Sequence, residues 1–363
     1  MRIDLTETNA SKVAAALLNA RRRAGSPAMG MVLTLVVVTD EANHEESLRA
    51  ARTVSTEHPA RILGVIRGRA RGRARLDAEV SIGNGASGET VLLRLNGDLV
   101  HHPVSVVTPL LLADSPVVVW WPADPPEKPA EDPLGRLAQR RITDCAGATR
   151  GRRTALACQA RNHAPGNTDL AWTRLTPWRA LLAAGLDQHP VRITGATVDA
   201  KSPNPSADLL GAWLASRLQV PVKQRSSGGP GITAVHLHSS HGDIGIDRPD
   251  GRLATFIIPG EADRPVALQR RTTAELLAEE LRRLDNDDVY QQTLERYGRG
   301  PAQRGAKRSA GAGRTEPVKK RASKKVTAKK VTAKKVTSKR TTSKKVTATK
   351  TPAGKRAAAV KAS

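Results

Sequence analysis

His236, His238 and His241 form an H-x-H-x-x-H pattern. Alternate residues of a strand share a face. The first two imidazoles would therefore point the same way, with the third in the turn that follows. That arrangement could hold zinc, with Asp243 as a nearby acid. No HExxH and no cysteine ligand accompanies it, and an exposed hairpin face explains the same residues. Residues 83–88 (GNGASG) match GxGxxG, the dinucleotide fingerprint. The fingerprint needs a helix after the glycines, whose N-terminus holds the pyrophosphate. Here ETVLLRL follows, which reads as a strand, so the match predicts a hairpin loop. Gly228-Gly-Pro-Gly231 lacks the Lys-Ser/Thr of a P-loop and predicts a turn.

Arg67, Arg69, Arg71, Arg73 and Arg75 alternate with Gly or Ala. In an extended chain all five guanidinium groups would face one way and suit phosphates. Glycine at 68 and 72 weakens a strand, so a solvated loop is the expectation. No GxSxG nucleophile motif occurs, and neither Cys145 nor Cys158 has a catalytic context. The expectation is a chain that is not an enzyme and that needs no cofactor or metal.

The five tryptophans are more informative. Trp120 and Trp121 are adjacent at a strand end, so they face opposite ways and cannot both fill one core. Trp213 falls on the apolar stripe of a helix. Residues 169–179 (DLAWTRLTPWR) interleave Trp172, Arg174, Trp178 and Arg179 just before a helix. Tryptophan and arginine are enriched at interface hot spots, and they also serve as packing residues. On residue types alone the two readings balance. Trp120, Trp121, Trp172, Arg174, Trp178 and Arg179 are the candidate partner-binding residues.

The elements that must position these residues follow from periodicity. Helices are expected at 8–20, 41–56, 104–112 and, briefly, 134–139. Strands are expected at 29–38, 61–66, 78–82, 89–95, 117–121 and 141–144. Residues 29–38 are continuously apolar, the pattern of a strand buried on both faces. With the helix after it and the next strand, it predicts a parallel pair. Beyond 167, helices are expected at 177–186, capped by Thr176, and at 204–218, capped by Asn204 with Pro205 first inside. Strands are expected at 191–198, 220–224, 232–239, 243–247 and 252–258. Thr272 and Glu275 form a capping box opening a helix to about 284, and a last helix covers 287–297. The fold class is α/β, mixed α+β in the second half, where antiparallel strands should dominate.

Charge divides the chain. It holds 59 Lys and Arg against 34 Asp and Glu, a net of +25. Residues 301–363 hold 21 of the basic residues and one acid, Glu316, so residues 1–300 carry a net of only +5. The tail repeats KKVTA-like pentapeptides from 324 to 348. With few large apolar side chains and mutual repulsion it should be disordered. Three parts are expected: two alpha-beta domains at 1–160 and 161–298, and a disordered basic tail at 299–363. Lys324, Lys325, Lys329, Lys330, Lys334, Lys335, Lys344 and Lys345 are the candidate polyanion-binding residues. Two cysteines without CxxC exclude a disulfide scaffold and suit a reducing compartment; both should be buried small hydrophobes. Asp4 with no apolar run after it argues against a signal peptide. Residues 104–122 are too interrupted by proline and Asp114 to span a membrane. A cytoplasmic location is expected.

Residues 117–126 (VVVWWPADPP), 140–144 (RRITD) and, above all, 169–183 (DLAWTRLTPWRALLA) resemble OpcA, the glucose-6-phosphate dehydrogenase assembly protein family of actinobacteria. The resemblance runs in order over about residues 5–298, including residues 101–116 and the GNGASGET loop. The tail and the Arg67–Arg75 loop lie outside the family pattern. The resemblance implies a non-catalytic partner of glucose-6-phosphate dehydrogenase, an assembly factor or positive effector in the oxidative pentose phosphate pathway. The alternative is a nucleic-acid-associated protein that works through its lysine-rich tail.

Overall fold

The computed structural model describes residues 1–24, 30–82, 89–149 and 151–299. The glycine loop expected at 83–88 and most of the tail expected to be disordered (300–363) lie outside the described residues. The first sheet contains β1 (Arg2–Thr8), β2 (Leu33–Thr39), β3 (Ala60–Arg67), β4 (Arg75–Ile82), β5 (Glu89–Asn96), β6 (Val117–Trp121), β7 (Arg140–Thr143) and β8 (Asn167–Asp169). Its strand order is β1-β4-β5-β3-β2-β6-β7-β8. From β5 to β8 all neighbours are parallel, and β4 and β1 extend it antiparallel.

The apolar run does what its composition demands. Leu33–Val38 is buried throughout, because helices cover both faces of the parallel strands. Val36 and Val38 face a core with Val13 and Leu17 of α1 (Ala10–Ala24) and Val106 of α3 (Pro103–Val107). Leu35 and Val37 face the opposite core, with Leu48 of α2 (His44–Val54) and Leu276 and Leu277 of α8 (Thr273–Leu281). The α2 crossover makes β2 and β3 the expected parallel pair. Trp121 enters the first core and Trp120 the second. Adjacent strand residues do face opposite ways, but here each face has its own core.

The second sheet contains β9 (Ile193–Ala200), β10 (Val222–Ser226), β11 (Ile232–Ser239), β12 (Ile244–Asp247), β13 (Leu253–Ile257) and β14 (Arg264–Ala267), in the order β10-β9-β11-β12-β13-β14. Every pair is antiparallel except β9 and β10. Those two are joined across α7 (Pro205–Leu218) and are therefore parallel. A core built from this sheet also takes in α4 (Arg152–Arg161), α5 (Leu170–Thr173), α6 (Thr176–Gln188) and α9 (Asp288–Gly298). The chain then returns, since α8 follows the second sheet in sequence but packs on the first.

Local signals mark several ends as expected. Asn204 accepts a hydrogen bond from the Ala207 amide, and both bonds of the Thr272–Glu275 capping box form. Other expectations need correction. Thr176 lies inside α6, preceded by Leu175, and makes no cap bond; its hydroxyl donates instead to Glu279 at 2.6 Å. The helix expected at 104–112 is α3 followed by a 3-10 turn at Thr108–Leu110, because Pro109 has no amide to continue the ladder. The one expected at 134–139 is a 3-10 turn at Gly135–Leu137. Neither β1 nor α4 was anticipated. β1 is a half-exposed edge strand, and α4 has only a weak apolar stripe, with Leu156 and Gln159 its buried residues. No described helix is long and apolar enough to cross a membrane.

The first sheet also buries charge. Glu89 accepts hydrogen bonds from Arg21 and, at 2.9 Å, from Arg61, and the Arg61 Nη1 donates to the Leu110 carbonyl at 2.7 Å. Removing one partner of a buried ion pair strands the others without solvent. Glu89→Ala is expected to lower unfolding stability by about 3–5 kcal/mol, measured by urea denaturation. A loss below about 1 kcal/mol would show that the two guanidinium groups find water or another acid.

Candidate functional site: the 169–179 segment and the crevice beside it

Asp169 closes β8 and starts α5. It is fully buried. Its carboxylate accepts from the Thr143 hydroxyl at 2.6 Å, the Cys145 amide at 3.0 Å and the Ala171 amide at 2.8 Å. One side chain thus joins the end of β7, the turn after it and the first turn of α5. Burial, and then the charge of Asp144, pushes the Asp169 carboxyl above its ordinary range. The same burial, with Asp169 alongside, pushes the Cys145 thiol well up. A thiol held neutral is a poor nucleophile, so Cys145 is the expected small hydrophobe. Cys158 is only half-buried, which corrects the expectation for it; both cysteines are free.

The rest of the segment is equally engaged. Arg174 forks onto Asp144 with two hydrogen bonds of 2.8 Å. The Trp172 indole donates to Asp287 at 2.7 Å, just before α9. Arg179 stacks over Trp172 at 3.8 Å from the ring centroid, and Tyr290 lies 5.6 Å from it. Thr173 donates to the buried Glu280 of α8 at 2.6 Å, which also accepts from Arg140 of β7 at 2.6 Å. Arg248, at the end of β12, lies over Trp178 at 4.7 Å. Trp172 and Trp178 are only 1% and 2% exposed, and Trp120 and Trp121 only 1% and 3%. Arg174 and Arg179 are half-buried. The segment locks the edge of the first sheet to α8, α9 and the second sheet. Its tryptophans stand behind the surface.

The remaining candidates separate. His236 pairs with Asp247 at 3.2 Å, and His238 sits between Asp243 at 2.8 Å and the Thr197 hydroxyl at 2.7 Å. Among the described residues no three His, Cys, Asp or Glu side chains are grouped to hold a metal ion. The arginine run starts at the last residue of β3 and ends at the first of β4, with Arg69, Arg71 and Arg73 in the loop between them. Arg67 pairs with Asp132, Arg73 with Glu7 and Arg75 with Asp77, so it offers no single phosphate-binding face.

The loop after β2 is where a ligand would be sought. The chain leaves β2 toward β3 on one side and reaches β6 on the other. Such a switch point is where open α/β sheets bind nucleotides. A crevice of about 540 Å³ lies there, with Asn43, Glu46, Trp120 and Pro122 in its lining. The loop after β2 is Asp40-Glu41-Ala42-Asn43, without glycine. Asp40 accepts from the amides of Ala42 at 2.9 Å and Asn43 at 2.8 Å. Both amides lie just before α2, beside the helix N-terminus where such folds hold phosphate, and a carboxylate of the chain occupies them. The signal was legible: an acid where the fingerprint demands glycine.

The fold and the crevice define a class: a two-sheet α/β protein whose first sheet is largely parallel and whose switch-point loop is built around its own carboxylate. Family models described as the N-terminal and C-terminal domains of a glucose-6-phosphate dehydrogenase subunit match residues 51–161 and 165–294. The chain belongs to the OpcA family of glucose-6-phosphate dehydrogenase assembly proteins. No curated protein sequence matches it. Among solved structures it is similar to a 3-ketoreductase from Actinomadura kijaniata, crystallised with TDP-benzene and NADP. Identity is 10%, with 74% of this chain and 95% of that one covered and a TM-score of 0.41. An oxidoreductase from Sinorhizobium meliloti gives 9% identity, 77% and 89% coverage and a TM-score of 0.37. The WlbA dehydrogenase of Chromobacterium violaceum, crystallised with NADH and UDP-GlcNAcA, gives 11%, 78% and 96%, and 0.32. Likenesses this distant carry no functional argument.

Trp172→Ala removes a fully buried ring and its hydrogen bond to Asp287. It is expected to cost about 3–5 kcal/mol of stability, against about 1 kcal/mol for Arg179→Ala, which loses mainly the stacked cation. Urea unfolding of both variants checks this. Equal, small losses would mean that the ring does not hold the junction.

Proposed function

We propose that this chain is a non-catalytic partner of glucose-6-phosphate dehydrogenase that binds the enzyme and raises its activity. The observation that carries this reading is the family match over residues 51–294, in two contiguous domains of a dehydrogenase subunit. The loop after β2 fits it, because an acid, Asp40, and no glycine stands between β2 and α2, and its carboxylate takes the two amides before the helix. The reading places the chain in the oxidative pentose phosphate pathway, as a positive effector. An effector of this kind must bind the active form of the enzyme better than the inactive one. Trp120, Trp121, Trp172, Arg174, Trp178 and Arg179 would then serve docking indirectly, by holding the shape of the surface in front of them.

The test is a steady-state assay of the cognate dehydrogenase with and without this protein. The chain alone should reduce no NADP, and adding it should raise maximal rate or apparent substrate affinity. No change in either across a wide concentration range would refute the proposal.

The tail motivates a second activity. Its net charge of +20 over residues 301–363 fits nonspecific binding to nucleic acid, through Lys324, Lys325, Lys329, Lys330, Lys334, Lys335, Lys344 and Lys345. Each neutralised phosphate releases a counterion, so affinity should fall steeply with salt. The full chain should bind duplex DNA at low salt, and a chain ending at Gly298 should not, while both should stimulate the dehydrogenase equally. Equal DNA binding by the two would move the nucleic-acid site into residues 1–298.

A further inference from the structure

A second and larger cleft, of about 780 Å³, adjoins the switch-point crevice. Loops from both sheets build it. The turn after β7 and the start of α6 form one side; the β9–α7, β10–β11 and β14–α8 connections form the others. Its volume lies in the range of small-molecule sites, roughly 300–1,000 Å³. Its charge is one-sided. Arg152, Arg174, Lys201, Arg248, Arg270 and Arg271 line it, against Glu46 and Asp144. Residues 1–300 as a whole carry a net of only +5, so the cleft concentrates nearly all of that excess.

Partners for these cations are unevenly supplied. Arg174 has Asp144, and Arg271 has Glu279. The side chains of Arg152, Lys201 and Arg270 make no hydrogen bond or ion pair with the described residues, and all three are exposed. Arg248 is the telling one. It is 5% exposed, its two terminal nitrogens donate to the Leu268 and Ile232 carbonyls at 2.8 Å, and its Nε has no partner among the described residues. It forms no ion pair with any described carboxylate. Burial, and then the neighbouring charge of Arg270, pulls its guanidinium down to about 10. The charge of Asp250 offsets this only in part and without an ion pair, and a buried cation beside another cation is costly unless something neutralises both.

We propose that this cleft binds a phosphorylated small molecule. Arg248 would lie at its buried wall, and Arg152, Lys201 and Arg270 would close on the phosphate from the loops. Three unpaired cations and a buried one without an ion pair call for more than a single negative charge. A phosphate ester carries about −1.5 to −2 near pH 7, and its oxygens match the guanidinium fork. A monocarboxylate supplies half that charge. The cleft is concave and bounded by loops of both sheets, which suits a metabolite rather than a nucleic-acid backbone. The site is independent of the proposed dehydrogenase partnership.

The probe is inorganic pyrophosphate, with malonate as the dicarboxylate control, each titrated into the full chain by calorimetry at moderate salt. Wild-type protein should show one saturable pyrophosphate site, at least tenfold tighter than for malonate. The double variant Lys201→Ala, Arg270→Ala should weaken that site tenfold or more. Both side chains are exposed, so the melting temperature without ligand should be unchanged. Should it fall, Arg152→Ala alone is read in the same way, with a loss of threefold or more expected. The lysine tail is present in every variant, so diffuse binding to it cancels in the comparison. Unchanged affinity in the variants, a preference for malonate, or no saturable site in the wild type would each overturn the assignment. No dehydrogenase is present in the measurement, so its failure would leave the partner reading standing.

Discussion

The buried carboxylate of Asp169 holds three donors from three separate elements. The Thr143 hydroxyl and the Cys145 and Ala171 amides converge on it from a strand, a turn and a helix start. An interior carboxylate is expensive on its own, and it persists because its oxygens are satisfied by fixed donors. Around it the same logic repeats. Asp144 takes Arg174, Glu280 takes Arg140 and Thr173, and Asp287 takes the Trp172 indole. Such networks add little net stability compared with apolar packing, yet breaking one member is costly. In this fold they set how the edge of the parallel sheet meets α8, α9 and the second sheet.

The surfaces available for function follow from that junction. The switch-point crevice and the basic cleft share Glu46, Asp144, Gly147, Thr272 and Thr273 in their linings. Asp144 is held by Arg174, and Trp178 lines the larger cleft from behind. A change inside the 169–179 segment would therefore reach both. The loop at the first sheet's switch point is built around Asp40, whose carboxylate takes the two amides before α2. The strands and helices around it are held by apolar burial, to which the loop does not contribute. The anion-binding character appears instead at loops between the two sheets, where cations from five separate stretches of chain meet.

Much of the fold was legible from residues close together in the chain. The apolar run ending at Val38 announced a strand covered on both faces, and the helix after it announced the parallel partner. Asn204-Pro205 and Thr272-x-x-Glu275 marked helix starts, because their side chains reach amides only three residues away. The alternation of Trp120 and Trp121 placed their rings on opposite faces. Thr176 misled because its hydroxyl found Glu279, 103 residues on, rather than its own helix. β1 and α4 were missed because an edge strand and a weakly amphipathic helix bury too little apolar surface to show a period.

By itself the sequence determined the family, the α/β class, the placement of most elements and the separation of a mildly charged body from a strongly basic tail. Each of these depends on composition, or on patterns spanning a few residues. Only the tertiary structure decided whether tryptophan and arginine in residues 169–179 face solvent or fill an interior. The same residue types serve either end, and the difference lies in distant partners: Asp287 is 115 positions from Trp172. It alone brought six cations into one cleft, since net charge is a sum over the chain whereas a field depends on where side chains meet.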